Sequence, residues 1–126
     1  MGVVIMRTVS CILAAAMVVA FGVSALAQIN PFARSGSGIS SDDAKYIEAA
    51  SSKIYKADNP QVGAVEKWNN PGTGNSGTVS LIQLYEKDGM PCRKLRHRIS
   101  VQGYKDPQIY IFSRCRVKSG EWKLAG

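Results

Sequence analysis

Apolar positions recur at helical spacing from Ala44 onward: Ile47, Ala50 or Ser51, and Ile54 follow, and Tyr55 and Ala57 extend the same face. Ser41-Asp42-Asp43 opens this segment. Ser41 is placed to cap the helix, and the two acids suit the positive end of its dipole. The helix is expected to end near Lys56, ahead of Asp58-Asn59-Pro60. Its apolar stripe is narrow, which predicts packing on a sheet.

Beyond residue 60 the pattern changes to short strand-like runs divided by turn signals. The runs are Ala64–Trp68, Thr78–Lys87, Cys92–Gln102, Gln108–Lys118 and Glu121–Leu124. An Asn- and Gly-rich loop at 69–77 separates the first two. Asp88-Gly89 is a two-residue hairpin turn, Gly103 to Pro107 turns the chain again, and Ser119-Gly120 makes the last tight turn. The expected fold class is α+β and β-rich: a small antiparallel sheet of four to five strands, a meander, with one N-terminal helix packed on it.

The N-terminal stretch follows neither pattern. Residues 1–7 carry one positive charge, Arg7, and no acid; an apolar run follows from Thr8 to Leu26 and ends in Ser24-Ala25-Leu26-Ala27. Small residues at 25 and 27 give the A-x-A pattern of a signal-peptidase site. Residues 1–27 therefore read as a signal peptide cleaved after Ala27. The competing reading is an uncleaved anchor, since the run is nearly long enough to span a bilayer. Residues 28–41, rich in Ser and Gly, read as a flexible leader, and 42–126 as the domain. Removing 27 of 126 residues leaves 99, enough for one domain with a modest core. The expected location is outside the cytoplasm: periplasmic, or associated with the cell surface or outer membrane.

Export changes the meaning of the cysteines. Cys11 leaves with the signal, so Cys92 and Cys115 remain. An isolated pair in an oxidising compartment predicts a disulfide. A metal site would need more ligands, and His97 is the single histidine; a redox centre would show Cys-x-x-Cys. The midpoint between Cys92 and Cys115 falls at Gly103-Tyr104, where the turn signals lie, so the two face each other across a hairpin. The parities conflict, however. Cys115 is in phase with Ile109, Ile111 and Val117, while Cys92 is in phase with Lys94, Arg96 and Arg98. A bulge near Pro91–Leu95, or a wider turn, is expected to resolve this.

Several motifs follow in order: Trp68-Asn69-Asn70, Gly74-Asn75-Ser76-Gly77-Thr78-Val79, Gly89-Met90-Pro91-Cys92-Arg93, Cys115-Arg116 and Gly120-Glu121-Trp122. Together they resemble the C-terminal domain of the 17 kDa surface antigen family, over roughly residues 42–124. The resemblance implies an exported, outer-membrane-associated antigen domain with no established enzymatic activity. Many members of that family are lipoproteins; this sequence has no lipobox. A soluble periplasmic or secreted form fits the residues better.

The formal net charge is +7, falling to +6 without Arg7. This balance favours anionic partners. Its densest feature is Arg93-Lys94-Leu95-Arg96-His97-Arg98. In a strand, Lys94, Arg96 and Arg98 share one face as a basic ridge, which Arg114 and Arg116 on the next strand are expected to widen, with Tyr104 and Tyr110 nearby. Arg93, Lys94, Arg96, Arg98, Arg114 and Arg116 are the candidate anion- or partner-binding residues. The plainer explanation is a solvated face or a charged edge that resists aggregation. Catalysis has little support: His97 sits between two arginines that disfavour its charged form, and no nucleophile–base pair is indicated. No catalytic residue, metal or cofactor is expected. Two functions fit. One is a cell-envelope structural or interaction module whose partner is an envelope protein or anionic surface polymer. The other is a secreted accessory factor or inhibitor acting through the basic face. Membrane association is open, and nucleic acid is not an expected partner of an exported chain.

Overall fold

The computed structural model describes residues 31, 32 and 36–125. The signal-like segment 1–27, with Cys11, lies outside the described residues. The described chain runs α1 (Ser41–Tyr55), β1 (Val65–Asn69), β2 (Ser76–Lys87), β3 (Met90–Ser100), β4 (Gln108–Arg116) and β5 (Trp122–Ala125). The five strands form one antiparallel sheet in sequence order, β1-β2-β3-β4-β5, as expected for a meander. Helix α1 packs against β1 and β2.

The helix cap lies one residue before the expected one. Ser40, not Ser41, is the N-cap; its hydroxyl accepts from the Asp43 N–H at 3.0 Å, and the Asp43 carboxylate accepts from the Ser40 N–H at 2.9 Å. This reciprocal box needs the acid at the third helical position, and Asp43 stands there only if Ser40 is the cap. Lys56 closes the other end as expected. Arg93 from β3 donates to the carbonyls of Tyr55 and Ala57, so a cation sits where the helix dipole is negative.

One face of the sheet meets the helix. Ile47, Ala50, Ile54 and Tyr55 pack with Trp68, Val79, Leu81, Leu95, Ile99 and Val101. Phe32 and Ile39 belong to the same core, at 4% and 8% exposure. The stretch read as a flexible leader is thus packed where it is described. Ser37 donates to the Phe32 carbonyl at 3.1 Å and accepts from the Ile39 N–H at 3.2 Å, holding the two apolar side chains on the core. Ser/Gly composition alone hides these two anchors. Gly77 is where β1 and β2 close on the tryptophan: a Cβ there would lie 2.5 Å from the Arg98 carbonyl oxygen and 2.7 Å from Trp68 Nε1.

The Asp88-Gly89 turn has φ of 52° and 76° at its two residues, the left-handed pair that a two-residue hairpin requires. The predicted bulge is elsewhere. Pairs from Cys92↔Cys115 to Ile99↔Gln108 run without a shift, so β3 carries no bulge at 91–95. The irregularity is in β2, between Leu81 and Gln83, against β3. No repair was needed between β3 and β4, because the basic residues do face the isoleucines: Arg96 opposes Ile111 and Arg98 opposes Ile109. The expected conflict assumed that isoleucines must be buried. Ile109 and Ile111 are 45% and 54% exposed.

Candidate functional site

Register sorts the candidate residues onto two faces. On β3, Leu95, His97 and Ile99 point to the core, so Arg93 shares their side and Lys94, Arg96 and Arg98 take the other. Directly paired residues share a face. Four rows therefore cross the outer face: Lys67–Thr78–Arg98–Ile109, Val65–Ser80–Arg96–Ile111, Gln83–Lys94–Ser113–Ala125, and Tyr85–Cys92–Cys115–Lys123. The ridge Lys94-Arg96-Arg98 exists as a geometric row, and Lys67 and Lys123 extend it from the edge strands.

Arg114 and Arg116 do not widen it. Arg114 pairs with Arg93 and Leu124, and Arg116 with Trp122, on the helix side. Arg114 instead bridges to Glu48 of α1 at 2.8 Å and lies 5.1 Å from the Tyr55 ring centroid. Arg93 stacks 4.6 Å from the Trp122 ring while holding the helix end. Tyr110 is also on the core side, in contact with Phe32 and Phe112. The expected aromatic neighbours of the ridge are replaced by Tyr85, with Lys94 at 5.7 Å from its ring. The six candidates split three and three because adjacent residues of a strand face opposite ways, and a run of basic letters does not show the split.

The two faces treat their cations differently. Arg93 and Arg114 are engaged by backbone carbonyls, a carboxylate and aromatic rings. On the outer face Arg96, Arg98, Lys67 and Lys123 are exposed, and no Asp or Glu stands at an outer-face strand position. The ion pair among the described residues is Arg114–Glu48. A shallow depression of about 440 Å³ opens on this face, lined by Lys67, Asn69, Ser76, Thr78, Arg98 and Ser100 around Gly77. Its walls offer two cations, three hydroxyls and a carboxamide.

The disulfide is present. Cys92 and Cys115 are a directly facing pair, 23 apart in sequence number, with Cα atoms 4.1 Å apart. It joins β3 to β4 beside Lys94.

His97 belongs to the core. Its ring contacts Phe32 and Phe112, and its Nδ1 is buried without a hydrogen-bond partner among the described residues. Burial, and then the positive charge of Arg114, push its pKa down from 6.5 to about 4. The flanking Arg96 and Arg98 point away, so the sequence neighbours blamed for the effect are not its cause. A histidine whose folded pKa is depressed binds fewer protons folded than unfolded. Its stabilising contribution is full above pH 6.5 and is lost as pH falls towards 4. The expected loss by pH 4 is roughly 3 kcal/mol. Chemical denaturation across this window should show it, and His97→Phe should remove the slope between pH 6.5 and 4. An unchanged slope would exclude His97 as its source.

Tyr55 has its hydroxyl on Glu48, and burial together with that carboxylate raises its pKa to about 12, which leaves it unsuited to nucleophilic work at neutral pH. Among the described residues no group of three or more His, Cys, Asp and Glu side chains could hold a metal ion, and no helix is long and apolar enough to cross a membrane.

Asp43 has a role that no sequence motif shows. It is fully buried, and both carboxylate oxygens are saturated. Oδ1 accepts from Asn70 Nδ2 at 2.8 Å and Thr73 Oγ1 at 2.7 Å; Oδ2 accepts from Asn75 Nδ2 at 2.8 Å besides the Ser40 N–H. Burial acts to raise its pKa, but the Ser40 N–H and the Thr73, Asn75 and Asn70 side chains together outweigh it and hold the carboxyl at about 2. The Asn/Gly loop is thus a cradle for a helix-capping carboxylate. Asn75 carries the link further, donating to the Gly38 carbonyl at 3.0 Å and accepting from the Gln102 N–H at 2.9 Å. The signal was legible as Asn70, Thr73 and Asn75 together in one loop; their common target, some thirty residues earlier, was not.

Fold and site define a helix-backed, disulfide-stapled antiparallel meander that engages Arg93 and Arg114 on the helix face and leaves the outer-face cations facing no acid. Residues 57–123 match the family model of the 17 kDa outer membrane surface antigen. The chain belongs to that family. Two 17 kDa surface antigens, of Rickettsia bellii strain RML369-C and of Rickettsia bellii, are each 31% identical over 90 residues. The aligned region covers 71% of this chain and 54% of each relative, so the chain spans about half the length of the curated relatives it matches. No solved structure matches.

Proposed function

We propose that this protein is an envelope-associated interaction module that does no catalysis and meets its partner with the outer face of the sheet. Family membership supports the envelope setting. The observation that carries the choice of face is the sorting of cations: the helix side uses Arg93 and Arg114 to hold the fold, while Lys94, Arg96 and Arg98 stand in a row facing no acid. Unpaired like charges repel one another and contribute nothing to folding, so an anionic or polar partner is their simplest use. Export with cleavage after Ala27 belongs to the same proposal.

The test is fractionation of cells producing the full chain or its Lys94→Glu/Arg96→Glu/Arg98→Glu variant. The natural chain should sediment with the envelope, at an intact mass lacking residues 1–27 and two hydrogens. The variant should melt within a few degrees of the natural protein, since exposed charges contribute little to stability. It should be released from the envelope fraction at moderate salt. Retention equal to the natural chain would reject this face, and a reduced full-length species in the cytosol would reject export.

A further inference from the structure

We infer that the outer face docks on an anionic phospholipid surface, with a headgroup phosphate seated in the depression between Lys67, Thr78 and Arg98. The inference rests on the outer-face reading above and adds the partner's chemistry.

The first argument is charge complementarity. Lys67, Lys94, Arg96, Arg98 and Lys123 occupy outer-face strand positions, and no carboxylate does. A surface meant for an ordinary polar protein partner would mix signs to set register. Uniform sign suits a partner that is itself uniformly charged.

The second is the apolar content between those cations. Ile109 and Ile111 stand directly beside Arg98 and Arg96 at 45% and 54% exposure, and Val65 is 54% exposed at the far edge of the Arg96 row. A dissolved anionic polymer has no use for exposed isoleucine. At a bilayer surface both components are used at one depth: aliphatic tips enter the headgroup boundary while long cationic side chains reach the phosphates. The open sheet also presents its rows side by side, as a planar target requires.

The third is the depression. Lys67 and Arg98 flank Thr78 in one row, and Ser76 and Ser100 stand in the next. Cation and hydroxyl donors grouped in one depression are the chemistry of a phosphate seat.

Vesicle co-sedimentation of the full chain tests this. The probes are phosphatidylcholine vesicles and vesicles of phosphatidylcholine and phosphatidylglycerol in equal parts. Residues 8–26 are apolar and add a background common to all variants, so the readout is the ratio of binding to the two vesicles. The ratio should favour the anionic vesicles and collapse at high salt. Each cation near an anionic surface is worth about fivefold, so Arg96→Ala/Arg98→Ala should lower the ratio roughly 30-fold. Ile109→Ser/Ile111→Ser should weaken anionic binding about fivefold without changing its salt dependence. Arg98→Ala alone should lower the ratio about fivefold, whereas Arg116→Ala, which also removes one charge but from the helix side, should leave it within twofold. Circular dichroism must show each variant folded; where the double arginine variant is not, Lys67→Ala and Lys123→Ala, at exposed edge positions, replace it.

Equal loss in the Arg116→Ala and Arg98→Ala variants would mean net charge alone, and would overturn the proposal. Full displacement by millimolar glycerol phosphate would make the ligand a free phosphate and overturn the lipid surface. A dimer abolished by Ile109→Ser/Ile111→Ser would assign the face to a second copy. Absence of any vesicle preference, with the Lys94/Arg96/Arg98 variant still released from the envelope fraction, would sink this inference and leave the proposed function standing.

Discussion

Asp43→Ala is expected to destabilise the fold by about 3–5 kcal/mol, the range for removing one partner from a buried, charge-assisted network. The carboxylate satisfies four donors: the Ser40 N–H, the Asn70 and Asn75 carboxamides and the Thr73 hydroxyl. Alanine leaves these groups without their acceptor, in a space closed to solvent, and removes half of the capping box. Asp43→Asn keeps the shape but turns a donor towards donors, so about 2 kcal/mol should still be lost. Asp42→Ala removes a single bond, to Asn70 at 3.0 Å, and should cost under about 1 kcal/mol. Urea denaturation of the three variants checks the order. Equal effects at 42 and 43 would show that only helix-dipole charge matters. The natural chain should carry a matching acid limb. Because the folded pKa of about 2 lies below 3.8, the Asp43 contribution is present above pH 3.8 and is lost as pH falls through 2, a window separate from that of His97.

Reduction of Cys92–Cys115, or the Cys92→Ala/Cys115→Ala double variant, is expected to cost about 3 kcal/mol, the loop-closure value for a bridge spanning 23 positions. A domain of this size has roughly 5–15 kcal/mol in total, so the melting temperature should fall by more than 10 °C. The bond sits far from the β3–β4 turn, where the hairpin ends are otherwise free to separate. Hydrogen exchange should therefore speed up first at 90–94 and 113–116. Loss of protection confined to the helix would contradict this placement. Reduction should also loosen Lys94, and through it the ridge, although no ridge residue is chemically changed.

The two predictions differ in how far the sequence reached them. The disulfide follows from compartment, count and hairpin midpoint, all local or arithmetical facts. The Asp43 hub does not. Capping by Asp42-Asp43 was readable, yet the partners at 70, 73 and 75 are joined to it only when β1 lays its following loop over the helix N-terminus. The same limit explains the ridge. Lys94, Arg96 and Arg98 share one face by strand alternation, and the facing cysteines put Arg93, Arg114 and Arg116 on the other; which of the two faces the helix covers, and so which cations it engages, is not in the strand pattern. Phe32 and Ile39 were hidden for a similar reason: short apolar anchors in a Ser/Gly stretch carry no periodicity.

By itself, the sequence determined the element order, the antiparallel meander, the Asp-Gly turn, the facing cysteines and the family. These rest on period, turn chemistry and pair arithmetic, which are properties of neighbours along the chain or across one hairpin. The tertiary structure decided which face of the sheet is core. That choice buried His97, left Ile109 and Ile111 exposed beside Arg98 and Arg96, and turned a loop of asparagines into the cradle of one carboxylate. The physical reason is that alternation leaves two faces open, and only packing against α1 and Phe32 decides which of them stays in water.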